Sequence, residues 1–196
     1  GLKDHHFRET CEPNPPLSPE RADSWPPPPE GFPPGTIITS FYTSYQAFLR
    51  IPKPARWRGF FVLRDPRDYV VSLYFSLRHS HPLMGHIPEH RKRLKGMSLD
   101  EGLRYTIGVG QSNGTFDLQR DWVCHATNDE RLKIFRFEDL FGDHQFEAVR
   151  RLFEHLGISV HKQELQDLLE KYSFENFSGG RRPGETDDYH HLRRGL

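Results

Sequence analysis

The sequence is short of cysteine and carries no excess charge of either sign. Two cysteines among 196 residues, Cys11 and Cys124, are too few for a disulfide framework, which favours a reducing compartment such as the cytoplasm. Lysine and arginine together number 27, as do aspartate and glutamate, so no overall field recruits nucleic acid or a membrane surface. Transmembrane-length apolar runs and a signal-peptide pattern are also missing. We therefore expect no nucleic-acid or membrane partner, and any anion site to be local.

Patterned metal ligands are missing as well. His5 and His6 are adjacent, but neither an HExxH motif nor a pair of cysteines accompanies them. A GxxxxGK[ST] phosphate loop is also absent from the sequence. We therefore expect no metal site and no phosphate loop of that type.

Proline, by contrast, is concentrated near the N-terminus. Ten of the 22 residues from Pro13 to Pro34 are proline, which excludes a helix or a central strand and favours extended conformations. A loop draped over a domain, a linker and a ligand for a proline-recognition domain are the open interpretations. We divide the chain into a proline-rich segment, 1–35, and one domain, 36–196, which is long enough to bury a real core.

Residues 59–74 predict a strand, a tight loop and a helix. Four apolar residues open the stretch, short enough for a strand buried on both faces of a sheet. Asp65 is a suitable N-cap before a proline at the first helical position, and Asp68 lies where a capping-box acid reaches back. Arg64 ends the strand at the edge where open α/β sheets bind ligands. With Ser72 further along the helix, it indicates a phosphate clamp.

The sequence from Arg64 to Tyr74, Arg-Asp-Pro-Arg-Asp-Tyr-Val-Val-Ser-Leu-Tyr, resembles the 3′-phosphate motif of sulfotransferases that use 3′-phosphoadenosine 5′-phosphosulfate (PAPS). In that family the strand-end arginine and the helix serine hold the 3′-phosphate, which implicates Arg64 and Ser72. For Asp65, Arg67 and Asp68 we adopt the plainer interpretation of helix capping and surface pairing.

Two further stretches resemble the adenine-binding elements of the family. Phe137-Glu-Asp-Leu is similar to its Tyr-Glu-Asp-Leu element, whose aromatic lies near the adenine; a core phenylalanine is the alternative for Phe137. Glu138 and Asp139 are expected to cap the next helix or to bond neighbouring loops. Ser173-Phe174-Glu-Asn-Phe looks like the Ser-Phe-x-x-Met element, in which Phe174 stacks on the adenine and Ser173 contacts the base edge.

The C-terminal Arg193-Arg194-Gly195 is similar to the Arg-Lys-Gly of the family, which contacts the 3′-phosphate; a frayed basic tail is the alternative. The family's Lys-Ser-Gly-Thr-like 5′-phosphosulfate loop and its Gly-Asp-Trp are absent from the sequence. We expect either that the sequence is cut from a longer chain at both ends or that the protein is a degenerate copy.

The family's general-base histidine has no counterpart either. Its position falls near Phe41 and Tyr42, so the catalytic base is unassigned. Tyr42 and Tyr45 are candidates to line the acceptor pocket, with core packing as the alternative. His79 and His81, just past the nucleotide helix, are further candidates to approach the acceptor.

Two helices are predicted between the motifs. The capping-box sequence Ser98-Leu-Asp-Glu starts a helix that is expected to end at Gly108. A flexible segment, 108–114, then leads into a helix around 118–126, whose Trp122 and Val123 are expected to pack in the core.

The resemblance implies an α/β fold with a central parallel sheet flanked by helices, of the P-loop NTPase-like sulfotransferase type. It also implies sulfuryl transfer from PAPS to a hydroxyl or amine of a small-molecule acceptor, without metal. A degenerate nucleotide-binding or interaction module and a Mg²⁺-dependent P-loop kinase are the alternatives, and a homodimer is left open.

Overall fold

The structure, a computed structural model, describes residues 3–4, 36–37, 43–126 and 128–189 and is rich in helix. The strands are β1 (Lys3–Asp4), β2 (Thr36–Ile37), β3 (Gly59–Leu63) and β4 (Leu132–Arg136). The helices are α1 (Tyr45–Arg50), α2 (Pro66–Phe75), α3 (Ile87–Lys95), α4 (Leu99–Ser112), α5 (Thr115–Ala126), α6 (Phe137–Phe141), α7 (Gln145–Leu156), α8 (Lys162–Lys171) and α9 (Phe174–Phe177). A π-helical turn, Ser76–Ser80, continues α2.

The strands within the described ranges form two parallel pairs, β1 with β2 and β3 with β4. The register of the second pair runs from Gly59 opposite Leu132 to Leu63 opposite Arg136. Parallel pairing brings the carboxyl ends of both strands to one edge, so the residues that follow them start side by side. The small parallel sheets among helices agree with an α/β class, whereas a P-loop NTPase-like central sheet stays a prediction.

The predicted burial of β3 on both faces is wrong. Phe60 is 38% exposed and Val62 37% exposed, whereas Phe61 turns the other way and stacks on Trp122 at 5.1 Å between ring centres. The cluster around Trp122, drawn from α1, α5 and the start of β4, packs against the Phe61 face. On the opposite face, residues of α6 and α7 pack around Phe135 of β4, which leaves the neighbouring side chains of β3 partly open.

Trp122 anchors the core beside this sheet, as predicted. Its ring is 5% exposed and meets Tyr45 edge-on at 5.4 Å, and its Nε1 donates to the Thr43 carbonyl at 2.9 Å. Val123, also predicted in the core, is instead 37% exposed, because one residue along a helix turns the side chain by about 100°.

The segment predicted to be flexible, 108–114, is largely helical, since α4 runs on to Ser112. Gly110 lies against the ring of Phe116, where an added Cβ would come within 2.8 Å of a ring carbon. The glycine therefore serves close packing of α4 on α5 rather than flexibility. The predicted capping box of Ser98 and Glu101 at the start of α4 is confirmed.

Within the residues that the structure describes, none of the helices is both long enough and apolar enough to cross a membrane. The proline-rich run from Pro13 to Pro34 lies outside the described residues. Its three interpretations therefore stay open.

Candidate functional site

Arg64 and Phe137, both predicted from the sequence, meet at the shared edge of β3 and β4. Each residue directly follows its strand, because Leu63 and Arg136 are paired at the end of the ladder. The guanidinium carbon of Arg64 lies 4.5 Å from the centre of the Phe137 ring. This is a cation–π contact, which orients the guanidinium plane without neutralising its charge.

The loop after Arg64 is built around the carboxylate of Asp65. Its Oδ1 accepts from the backbone N–H of Arg67 at 2.8 Å, and Pro66 holds the first helical position. The Arg67 guanidinium bonds both carboxylate oxygens, at 3.0 and 2.6 Å. These bonds lower the pKa of Asp65 to about 2, so the cap is ionised at neutral pH. The interpretation of these residues as a capped, paired helix start is confirmed.

The backbone N–H of Asp65 itself donates to Glu138 Oε1 at 2.8 Å. The sequence predicts Asp68 as the acid that reaches back to this N–H, and the structure corrects that prediction. Glu138 Oε2 is buried and lies 3.6 Å from Nε of Arg136. Glu138 thus bonds a neighbouring loop, one of the two roles expected for it.

Ser72 lies in α2, half-buried, seven residues beyond the Asp65 cap. Seven residues make almost two full turns, so both residues lie on the same side of the helix, about 10 Å apart along its axis. Arg64 and Ser72 therefore flank the first two turns of α2. Their joint contact with one phosphate stays a prediction.

The second predicted adenine element forms the short helix α9. Ser173 is its N-cap, and its hydroxyl accepts from the N–H of Asn176 at 3.3 Å. The ring of Phe174 is half-buried, and the guanidinium carbon of Arg181 lies 5.3 Å from its centre. The sequence analysis missed Arg181. A signal for it was the preceding Gly179-Gly180, whose positive φ values of 78° and 95° turn the chain back towards α9.

His79, in the π-helical turn, contacts the last described part of the chain. Its ring meets that of Tyr189 edge-on at 4.6 Å between centres. Burial lowers the pKa of His79, and the positive charge of Arg78 acts in the same direction. Because Tyr189 is four residues before Arg193, this contact brings the chain to the far end of α2 just before the predicted phosphate-binding tail.

The remaining predicted residues divide into two groups. Tyr42, Arg193, Arg194 and Gly195 lie outside the described residues. Tyr45 is 8% exposed and stacks on the ring of His125 at 5.3 Å. Its burial favours the alternative of core packing, and a role in lining the acceptor pocket stays a prediction.

The acidic, histidine and cysteine side chains of the described ranges form no group of three or more that is arranged to hold a metal ion. The side chains at the strand edge are instead suited to a ligand that carries an anionic group and an aromatic ring. The edge offers a guanidinium stacked on a ring, beside the N-terminus of α2.

Comparison with known families identifies the domain that carries these residues. The model of a sulfotransferase domain matches residues 40–195, a range that holds every residue assigned above to a nucleotide or an acceptor. A search for similar solved structures gives no significant match.

Proposed function

The chain belongs to the sulfotransferase family, and from that premise we propose that it moves a sulfuryl group from PAPS to a hydroxyl or amine of a small-molecule acceptor. The acceptor oxygen or nitrogen bonds to sulfur and loses its proton. The bond from sulfur to the phosphate oxygen breaks, which releases 3′-phosphoadenosine 5′-phosphate (PAP). The catalytic base that takes the proton is unassigned.

The observation that carries this proposal is the meeting of Arg64 and Phe137 at the carboxyl edge of two parallel strands. Ligands of α/β sheets bind outside this edge. A guanidinium fits a phosphate through two parallel hydrogen bonds, and the adjoining half-buried ring adds an apolar surface. A nucleotide with a phosphate on its ribose matches both features at once.

In the proposed complex the 3′-phosphate is held by Arg64 and Ser72 from one side. The tail residues Arg193, Arg194 and Gly195 hold it from the other. The contact of Tyr189 with His79 supports this arrangement, since Tyr189 lies against the π-helical turn that continues α2 and precedes Arg193 by four residues.

The adenine is proposed to stack on Phe174 and to lie near Phe137, with Ser173 at the base edge. Stacking of a base on an aromatic side chain is worth roughly 1–3 kcal/mol in nucleic-acid sites. The contact of Arg181 with the Phe174 ring supports this placement, because it holds that ring in a fixed orientation.

Catalysis by this protein is proposed to depend on positioning and on electrostatic stabilisation of the transferring group, as in phosphoryl transfer. No metal takes part in the proposal, and Tyr42 and Tyr45 keep their proposed place beside the acceptor. We place the catalytic domain at 36–196 in a P-loop NTPase-like α/β fold. A cytoplasmic location and a homodimer complete the proposal, the first resting on the scarcity of cysteine.

The test is acceptor-dependent release of PAP from PAPS. The chain is incubated with PAPS, a panel of phenols, alcohols and amines, and a chelator. A parallel series replaces PAPS with ATP and is run both with Mg²⁺ and with the chelator. The proposal expects PAP release with at least one acceptor and no transfer from ATP. Transfer from ATP that requires Mg²⁺ would establish the kinase alternative, and PAPS binding without release on any acceptor would establish the non-catalytic one.

A further inference from the structure

The carboxylate of Glu138 links the ends of β3 and β4 at the candidate site. Glu138 opens the helix after β4, yet its Oε1 accepts from the N–H of Asp65, which lies 73 residues earlier in the chain. The bond measures 2.8 Å and is partly buried. We infer that Glu138 is a positioning residue for the 3′-phosphate, acting through Arg64.

The inference follows from what surrounds Arg64. Its side chain rests on the ring of Phe137, and the N–H of the next residue is held by Glu138. Two consecutive residues of the β4–α6 junction thus hold the side chain and the backbone of the same turn. Displacement of a binding group by about 1 Å is enough to cost a large factor in rate, so such double support has a direct effect on the phosphate contact.

The second carboxylate oxygen of Glu138 is also near a charge. Oε2 is buried without a hydrogen-bond partner among the described residues, and it lies 3.6 Å from Nε of Arg136, the last residue of β4. A carboxylate in the first turn of a helix also favours that helix through its dipole, and Asp139 shares this property. Within the described ranges no hydrogen bond joins Asp139 to the Arg64 turn, which makes it a matched control.

The inference rests on the proposed function, and calorimetry separates the two. Affinities for PAP and for 5′-AMP are measured for the unmodified chain, Glu138→Ala, Glu138→Gln and Asp139→Asn. Glu138→Ala is expected to weaken PAP by about tenfold, equivalent to about 1.4 kcal/mol, and to leave 5′-AMP unchanged. Glu138→Gln, which keeps an acceptor oxygen, is expected to fall between, and Asp139→Asn to match the unmodified chain.

A general loss of stability weakens the binding of PAP and of 5′-AMP together, whereas a loss of positioning weakens the binding of PAP alone. The ratio of the two affinities therefore distinguishes the two causes. A normal preference for PAP in Glu138→Ala, with the unmodified chain also preferring PAP, would overturn the inference alone. Equal affinities of the unmodified chain for the two nucleotides would overturn the proposed function and the inference with it.

A measurement without ligand tests the geometry directly. Amide exchange at Asp65, followed by NMR, is expected to be faster in Glu138→Ala than in the unmodified chain, and unchanged in Asp139→Asn. Where the alanine variant does not fold, Glu138→Met, which fills a similar volume and lacks an oxygen acceptor, takes its place, with faster exchange again expected. Unchanged protection of the Asp65 amide in a folded variant would overturn the inference.

Discussion

The guanidinium carbon of Arg64 lies 4.5 Å from the centre of the Phe137 ring, across the edge where β3 and β4 end together. The two residues belong to different sequence motifs, and the parallel pairing of their strands brings them together. A phosphate partner for the arginine and a base beside the ring follow naturally from this arrangement.

Replacing Arg64 tests the phosphate contact. Arg64→Ala is expected to weaken PAP by roughly 10- to 100-fold, since a hydrogen bond to a charged group contributes about 1.5–3 kcal/mol. Binding of 5′-AMP is expected to change little. Arg104→Ala, which removes an exposed arginine paired with Asp100 on α4, is the control and is expected to bind PAP normally. Calorimetry measures both, and equal losses for PAP and 5′-AMP would contradict the assignment.

Two substitutions at Phe137 test the ring and a hydroxyl separately, because the family's element has tyrosine at this position. Phe137→Leu removes the cation–π contact, worth about 0.5–2 kcal/mol, and is expected to weaken PAP roughly 2- to 30-fold. Phe137→Tyr keeps the ring and is expected to bind at least as tightly. Leu99→Ala changes an exposed apolar side chain at the start of α4, 56% accessible, as a control. A leucine variant that binds PAP normally would show that the ring is only a packing residue.

The ionised cap of α2 predicts a pH dependence of stability. The Arg67 bonds lower the pKa of Asp65 from 3.8 to about 2, so ionisation of Asp65 stabilises the folded chain above pH 3.8, and this stabilisation is lost as the pH falls towards 2. The difference in urea midpoint between the unmodified chain and Asp65→Asn is expected to be largest above pH 4 and to shrink as the pH falls through about 2. A difference independent of pH would contradict this account.

His79 predicts a second pH dependence, in a higher range. Burial lowers its pKa below 6.5, with Arg78 and Arg91 adding to the shift and Asp188 opposing it. Burial disfavours the charged form of the ring, so protonation weakens its buried arrangement. Packing of His79 against Tyr189 is therefore expected to persist at pH 7 and to weaken as the pH falls through the lowered pKa. An NMR titration of the His79 ring checks this; a pKa at or above 6.5 would contradict it.

The core beside the site is expected to depend on Trp122. Trp122→Ala is expected to lower the free energy of unfolding by about 3–5 kcal/mol, through the loss of its packing against Phe61 and Tyr45. Val123→Ala, one residue on and 37% exposed, is expected to cost much less. Urea unfolding monitored by circular dichroism measures both. Similar losses for the two variants would show that α5 packs differently.

Local signals predicted the start of α2 well, because a cap and an N-terminal proline depend on adjacent residues. Such local signals could not predict which side chain accepts the hydrogen bond from the Asp65 N–H. The sequence offers Asp68, three residues on, whereas the real partner, Glu138, is brought near only by the pairing of β3 with β4. Pairing between strands so far apart in the chain cannot be predicted from the residues next to Asp65.

At two other places, Gly110 and β3, the packing differs from what the composition predicts. Gly110 suggests flexibility, yet the absence of a Cβ lets α4 approach the Phe116 ring. The apolar run of β3 suggests burial on both faces, yet Phe60 and Val62 remain partly exposed. Arg181 escaped notice because its contact with Phe174 depends on a turn at two glycines with positive φ.

The most direct test of the central claim is a calorimetric titration of the chain with PAP, with 5′-AMP as the control. The account predicts clearly tighter binding of PAP, because the 3′-phosphate is the group that Arg64 and Ser72 are proposed to hold. Equal binding of the two nucleotides, or none by a folded sample, would contradict the assignment of the strand edge as a 3′-phosphate site.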